Sequence, residues 1–193
     1  MSRWSKLFGT IVEARAAKKS PRFNDYHTAR MAYENYLKNH KDLLVPSGGP
    51  TPTARQEAKN SPELEKIEEL FKKSIEGADK VNDYSDVATA YQQLGQLYYY
   101  QGRLEESKSA LLKSLDIFSG LASLDKSHKD AQSDTHYFLG LTLIDMKDFN
   151  GAEKELKTST AIDVATGNKY NVEYYGKLAM ARLDERRKMN NNP

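Results

Sequence analysis

A leucine–glycine pair set inside a helical pattern occurs twice, at Leu94-Gly95 and Leu139-Gly140, 45 residues apart. Around the first pair, Tyr91, Leu94, Gly95 and Tyr98 recur at steps of three and four, and a second pattern with Leu104, Leu111, Leu115 and Phe118 follows the short turn Gln101-Gly102-Arg103. That spacing gives each segment one buried face. A mid-helix glycine costs roughly 1 kcal/mol against alanine, so it needs a packing reason. The reason expected here is close approach of a second helix where no Cβ intervenes. The chain therefore has to fold as antiparallel helical hairpins. The second copy keeps the spacing: His136, Leu139, Gly140 and Leu143 lead to Phe149, Ala152, Leu156 and Ser159, and Gly95 precedes Ser107 by the same interval as Gly140 precedes Ala152.

This arrangement resembles the tetratricopeptide repeat, a helix–turn–helix unit with an aromatic residue, Leu-Gly, Tyr, a small residue and a second aromatic. The likeness extends over about 29 residues in each copy. Tyr91 or His136 replaces the usual tryptophan, the closing proline is missing, and the 45-residue period exceeds the usual ~34. The extra length falls near Ser119 to Ser133, as a longer helix or turn. The resemblance implies an all-α, right-handed superhelix of about three hairpins, with further helices at both ends.

Residues 1–19 read as an amphipathic helix with Trp4, Leu7, Phe8, Ile11 and Val12 on one face. Residues 1–22 carry a net charge of +5 within a chain of net +2, so the body is mildly acidic. The repeat domain is expected over 23–188. Its first hairpin is degenerate, with a helix from Phe23 to Leu44 and another starting at Ser61-Pro62, a cap followed by a first-turn proline. Between them, residues 45–61 (VPSGGPTPTARQEAKNS) read as a flexible loop. A last helix spans Asn171 to Lys188, and 189–193 read as a disordered tail.

Little in the sequence points to catalysis. There is no cysteine, so neither disulfides nor thiolate metal sites can form. The four histidines, His27, His40, His128 and His136, show no metal-ligand spacing, and Gly48-Gly49 lacks the lysine and serine of a phosphate loop. No cofactor, metal or enzymatic activity is expected. The body shows no basic nucleic-acid surface. No apolar run is long enough for a signal peptide or a membrane span, which makes the cytoplasm the expected compartment.

A repeat superhelix presents a concave groove lined by the first helix of each pair. The positions turned from the core signature are Gln92, Gln96, Tyr99 and Tyr100 in the first copy, and Tyr137, Leu141 and Ile144 in the second. Lys177 and Met180 follow on the last helix. Because a helix cannot bury three consecutive residues on one stripe, at least one of Tyr98, Tyr99 and Tyr100 is expected to face outward. Relatives in this family clamp an acidic peptide terminus with Lys, Arg and Asn; Gln92, Gln96, Tyr137 and Leu141 stand at the matching places here. The groove should be tyrosine-rich, mostly apolar and neutral, fitting an amphipathic helix or an extended apolar segment of a partner protein. The chain reads as a non-enzymatic adaptor that assembles a cytoplasmic regulatory complex. Two alternatives involve residues 1–19: recruitment to a membrane surface, or self-association with that helix in the groove, in the same chain or in a homo-oligomer.

Overall fold

The computed structural model describes residues 21–44, 49–79, 84–121 and 125–191, and the amphipathic segment 1–19 lies outside them. Among the described residues there are eight α-helices and no strand. They are α1 (Pro21–Asn39), α2 (Pro52–Lys59), α3 (Pro62–Asp79), α4 (Tyr84–Tyr100), α5 (Leu104–Gly120), α6 (Lys126–Asp145), α7 (Phe149–Thr166) and α8 (Lys177–Asn191). A 3-10 turn, Lys41–Leu44, follows α1, and a π-helical turn, Asn171–Gly176, leads into α8.

Three antiparallel pairs stack in order: α1 with α3, α4 with α5, and α6 with α7. The first helices α4 and α6 also touch each other, and α8 closes the end against α7 and α6. The core is continuous through the stack, from Tyr33 and Phe71 through Leu97 and Leu111 to Leu156 and Leu183.

The glycines do what their position requires. A Cβ on Gly95 would lie 2.4 Å from Leu111 Cγ, and one on Gly140 would lie 2.7 Å from Leu156 Cδ2. Each leucine is buried, so each hairpin closes through the same glycine–leucine seam. The small residues beside the seam are satisfied: Ser107 Oγ donates to the Gly95 carbonyl at 2.8 Å and lies 3.0 Å from Thr142 Oγ1 of the next hairpin. The hairpin turns also match. The Arg103 amide donates to the Tyr98 carbonyl at 2.9 Å, and the Asp148 amide to the Leu143 carbonyl at 2.9 Å. Each turn needs one left-handed residue, Gly102 at φ 71° and Lys147 at φ 65°. The stretch expected to hold the extra length, Ser119 to Ser133, takes in the end of α5 at Gly120 and the first turns of α6 from Lys126.

Three expectations are corrected. Residues 52–59 are helical, not loop. Thr51 caps this helix by accepting from the Ala54 amide at 3.1 Å, and Pro52 begins it. This is the signature that also starts α3, where the Leu64 amide donates to Ser61 Oγ at 3.3 Å. Ala54 and Ala58, one turn apart, are buried and hold α2 on the core. The C-terminal helix continues to Asn191, past the expected start of a disordered tail at 189. Finally, all three consecutive tyrosines are buried, at 6, 1 and 5% exposure for Tyr98, Tyr99 and Tyr100. A stripe argument holds for a helix with one packed face. The end of α4 is surrounded: Tyr98 meets Glu68 and Arg103 on one side, while Tyr99 and Tyr100 meet Phe138 on another.

Candidate functional site

Those neighbours define the site. Tyr98 Oη donates to Glu68 Oε1 of α3 at 2.9 Å, and the Arg103 guanidinium carbon stands 4.2 Å above its ring. Burial pushes the Glu68 carboxyl up, but hydrogen bonds from Arg103, Lys72 and Tyr98 outweigh it and leave the carboxyl below its ordinary range. Tyr98 thus belongs to the scaffold. Tyr99 and Tyr100 turn the other way, and their rings each lie 5.9 Å from Phe138 of α6. Tyr137 continues the aromatic wall, 5.4 Å from Phe138 and 5.9 Å from Tyr175 in the π-turn. These edge contacts fall in the favourable range for ring pairs.

The wall borders a cavity of about 450 Å³. On α4 its lining residues Thr89, Gln92, Gln96 and Tyr99 follow steps of three and four, as do Asp134, Tyr137 and Leu141 on α6. Tyr26, Arg30, Tyr33 and Leu37 of α1 form the facing side. The π-turn supplies Asn171, Tyr175 and Gly176, since its wider turn brings positions four and five apart onto one side.

One end is held by a charge network. Arg182 of α8 donates from Nη1 to Tyr99 Oη at 2.7 Å and from Nη2 to Asp145 Oδ1, and Arg55 of α2 donates to Asp145 Oδ2. Arg55 also lies over the Tyr99 ring, with its guanidinium carbon 5.1 Å from the centroid. Gly49 completes the closure: its φ is 70°, and a Cβ there would come within 2.6 Å of the Arg182 guanidinium. The segment read from sequence as a flexible loop therefore carries part of the cavity's end.

The other end is acidic. Asp134 and Asp163 line it, and burial pushes both carboxyls above the ordinary range. Nearby Asp163 and Asp130 push Asp134 further up. Asn171 Nδ2 donates to Asp163 Oδ1 at 3.4 Å, while Asn171 Oδ1, on a side chain 6% exposed, has no hydrogen-bond partner among the described residues. On the α1 side, Tyr33 Oη is likewise without one.

Six residues named from sequence, Gln92, Gln96, Tyr99, Tyr100, Tyr137 and Leu141, line this one cavity. Ile144 is instead 2% exposed within the core. Lys177 is exposed and Met180 half-buried, and neither borders the cavity. Trp4, Leu7, Phe8, Ile11 and Val12 lie outside the described residues. The expectation of a mostly neutral groove is also corrected, because Arg30, Glu34, Lys38, Asp134 and Asp163 all contribute to the lining. Sequence reasoning missed α1 and the carboxylates. A signal for Asp134 was present: it stands three residues before Tyr137, on the same stripe of α6.

Among the described residues no helix is long and apolar enough to cross a membrane, and no group of three or more His, Cys, Asp and Glu side chains could hold a metal ion. No curated protein and no solved structure matches the chain. A family model described as tetratricopeptide repeat matches residues 63–119, from the start of α3 to the last turn of α5, and thus takes in the first glycine–leucine seam. Over those residues the chain is similar to the tetratricopeptide repeat, and its three stacked antiparallel helix pairs make an all-α helical-repeat fold among the described residues.

Proposed function

We propose that this protein is an adaptor that holds a partner by taking a helical or extended segment into the aromatic cavity between α1, α4, α6 and the π-turn. Repeats of this family generally mediate protein–protein interactions and are typically non-enzymatic. What supports the reading is that Gln92, Gln96, Tyr137 and Leu141 all border one cavity. Aromatic rings bury large area with few torsions to freeze, and the glutamines can hydrogen-bond a guest backbone. Cytoplasmic assembly of a regulatory complex is the role such a cavity would serve.

The test uses full-length protein and a displayed library of random peptides of about a dozen residues. Selected peptides should lose about tenfold or more in affinity to Tyr137→Ala and Gln96→Ala proteins, while an outer-face variant such as Lys157→Ala keeps it. Tyr137 and Gln96 are half-buried, and circular dichroism of each variant establishes that the fold is kept before its affinity is read. Tyr99 is a poor probe because its loss would break the Arg182–Asp145 network. Binders indifferent to both cavity substitutions would refute the groove.

A further inference from the structure

We propose that the cavity end formed by Asp134, Asp163 and Asn171 is a cation subsite that receives a lysine or arginine side chain of the bound segment. This rests on the reading of the cavity as a polypeptide site and specifies what that polypeptide must carry.

Three observations converge. First, the end presents acceptors in excess. Asp134 is half-buried and borders the cavity, and no cation or hydrogen-bond donor pairs with it among the described residues. Its charged neighbours, Asp163 and Asp130, have the same sign. Like charges gathered beside the buried carboxylates Asp163 and Asp130 are costly unless a cation joins them. Second, Asn171 Oδ1 is an acceptor without a partner on a side chain more than nine-tenths buried, and Asn171 borders the same cavity. Its amide nitrogen already serves Asp163, which leaves the oxygen as the acceptor still to be used. Third, Tyr137 and Tyr175 stand beside these acceptors with ring centroids 5.9 Å apart. Aromatic faces next to carboxylates suit an organic cation, whose stem they cover and whose charge they attract. A bare metal ion fits less well, since no group of three or more metal-ligating side chains occurs among the described residues.

Charge placement within the cavity sets the direction of the guest. Arg30, Glu34 and Lys38 border it from α1, with Arg30 and Glu34 paired at 3.7 Å, whereas the α6 and α7 side offers Asp134 and Asp163 with no basic residue in its lining. A segment with its basic residue toward the π-turn meets complementary charge; turned toward α1 it meets a set that is net positive.

The peptide selection described above also tests this subsite. Selected sequences should be enriched in lysine or arginine at one position. Replacing that residue by norleucine should cost about tenfold or more in affinity for the native protein, the usual scale for a hydrogen-bonded charge. The same replacement should cost less than about threefold for Asp134→Asn or Asp163→Asn protein, each confirmed folded by circular dichroism. Peptides that depend on Tyr137 but carry no enriched basic residue, or that lose equally on native and Asn proteins, would overturn the subsite while leaving the groove standing. Failure to select any peptide, or selection of binders indifferent to Tyr137→Ala, would overturn both.

Discussion

The two hairpins α4–α5 and α6–α7 differ where a guest would touch them and agree where they touch themselves. Gly95 meets Leu111 as Gly140 meets Leu156, and Gly102 and Lys147 make the same left-handed turn. At the same 45-residue offset, Thr89 becomes Asp134, Gln92 becomes Tyr137, and Phe118 becomes Asp163. Phe118 is 1% exposed in a small apolar cluster with Ala88 and Ala131, whereas its counterpart is a carboxylate 4% exposed beside Asn171. Replacing a buried phenylalanine by a buried carboxylate opposes stability. The repeat thus conserves its scaffold positions while the acidic end of the cavity departs from them, and the departure is where specificity can reside.

The largest effect that could break this comparison lies in the seams. Leu111→Ala and Leu156→Ala should each cost about 2–5 kcal/mol in urea unfolding, since both side chains are buried against a glycine. The two costs should agree within about 1 kcal/mol if the seams are equivalent. Next, Gly95→Ala and Gly140→Ala should each cost about 1–2 kcal/mol, the overpacking loss exceeding the gain in helix propensity. A stabilised Gly95→Ala protein would show that the seam is loose.

A smaller effect sharpens the difference between the copies. Asp134→Asn should stabilise the free protein at neutral pH by about 1 kcal/mol, the scale of a buried polar group relieved of its mismatch. The pH dependence has a defined sign. The folded Asp134 carboxyl holds its proton to higher pH than the unfolded chain does, because of burial and of Asp163 and Asp130; Tyr137 and Tyr175 are the other titratable groups that feel it. Below the ordinary carboxylate pKa both states are protonated and the cost is absent. As pH rises above that value the unfolded chain ionises first, and stability falls until the folded carboxyl ionises too. The advantage of the Asn protein should therefore grow with pH and vanish in acid, as followed by thermal melts across the range. The smallest effect is at the turn: Lys147→Gly should gain about 0.5–1 kcal/mol by easing a left-handed lysine, which would make the second turn like the first.

The scaffold was legible because its signals are local. Gly95 and Gly140, Ser61-Pro62, and Gln101-Gly102-Arg103 each announce their role within a few residues. Helix α2 had the same kind of signal in Thr51-Pro52, but the surrounding Pro, Gly, Ser and Thr read as loop. The cavity was legible only along α4 and α6, where helical steps put Gln92, Gln96, Tyr137 and Leu141 on one side. Its ends were not. The Arg55–Asp145–Arg182 network joins residues 90 and 37 positions apart, and no periodicity encodes such contacts. The burial of Tyr98, Tyr99 and Tyr100 was missed for a related reason: the number of neighbours around a helix belongs to the tertiary arrangement, not to its own pattern.

The most direct test of the account is amide and side-chain NMR mapping of a selected peptide on the full-length protein. The largest shifts should fall on Gln92, Gln96, Tyr137 and the Asn171 side-chain amide, with Lys113 and Lys157 on the outer helices α5 and α7 unmoved. Shifts concentrated on α5 and α7, with Tyr137 and Asn171 silent, would contradict it.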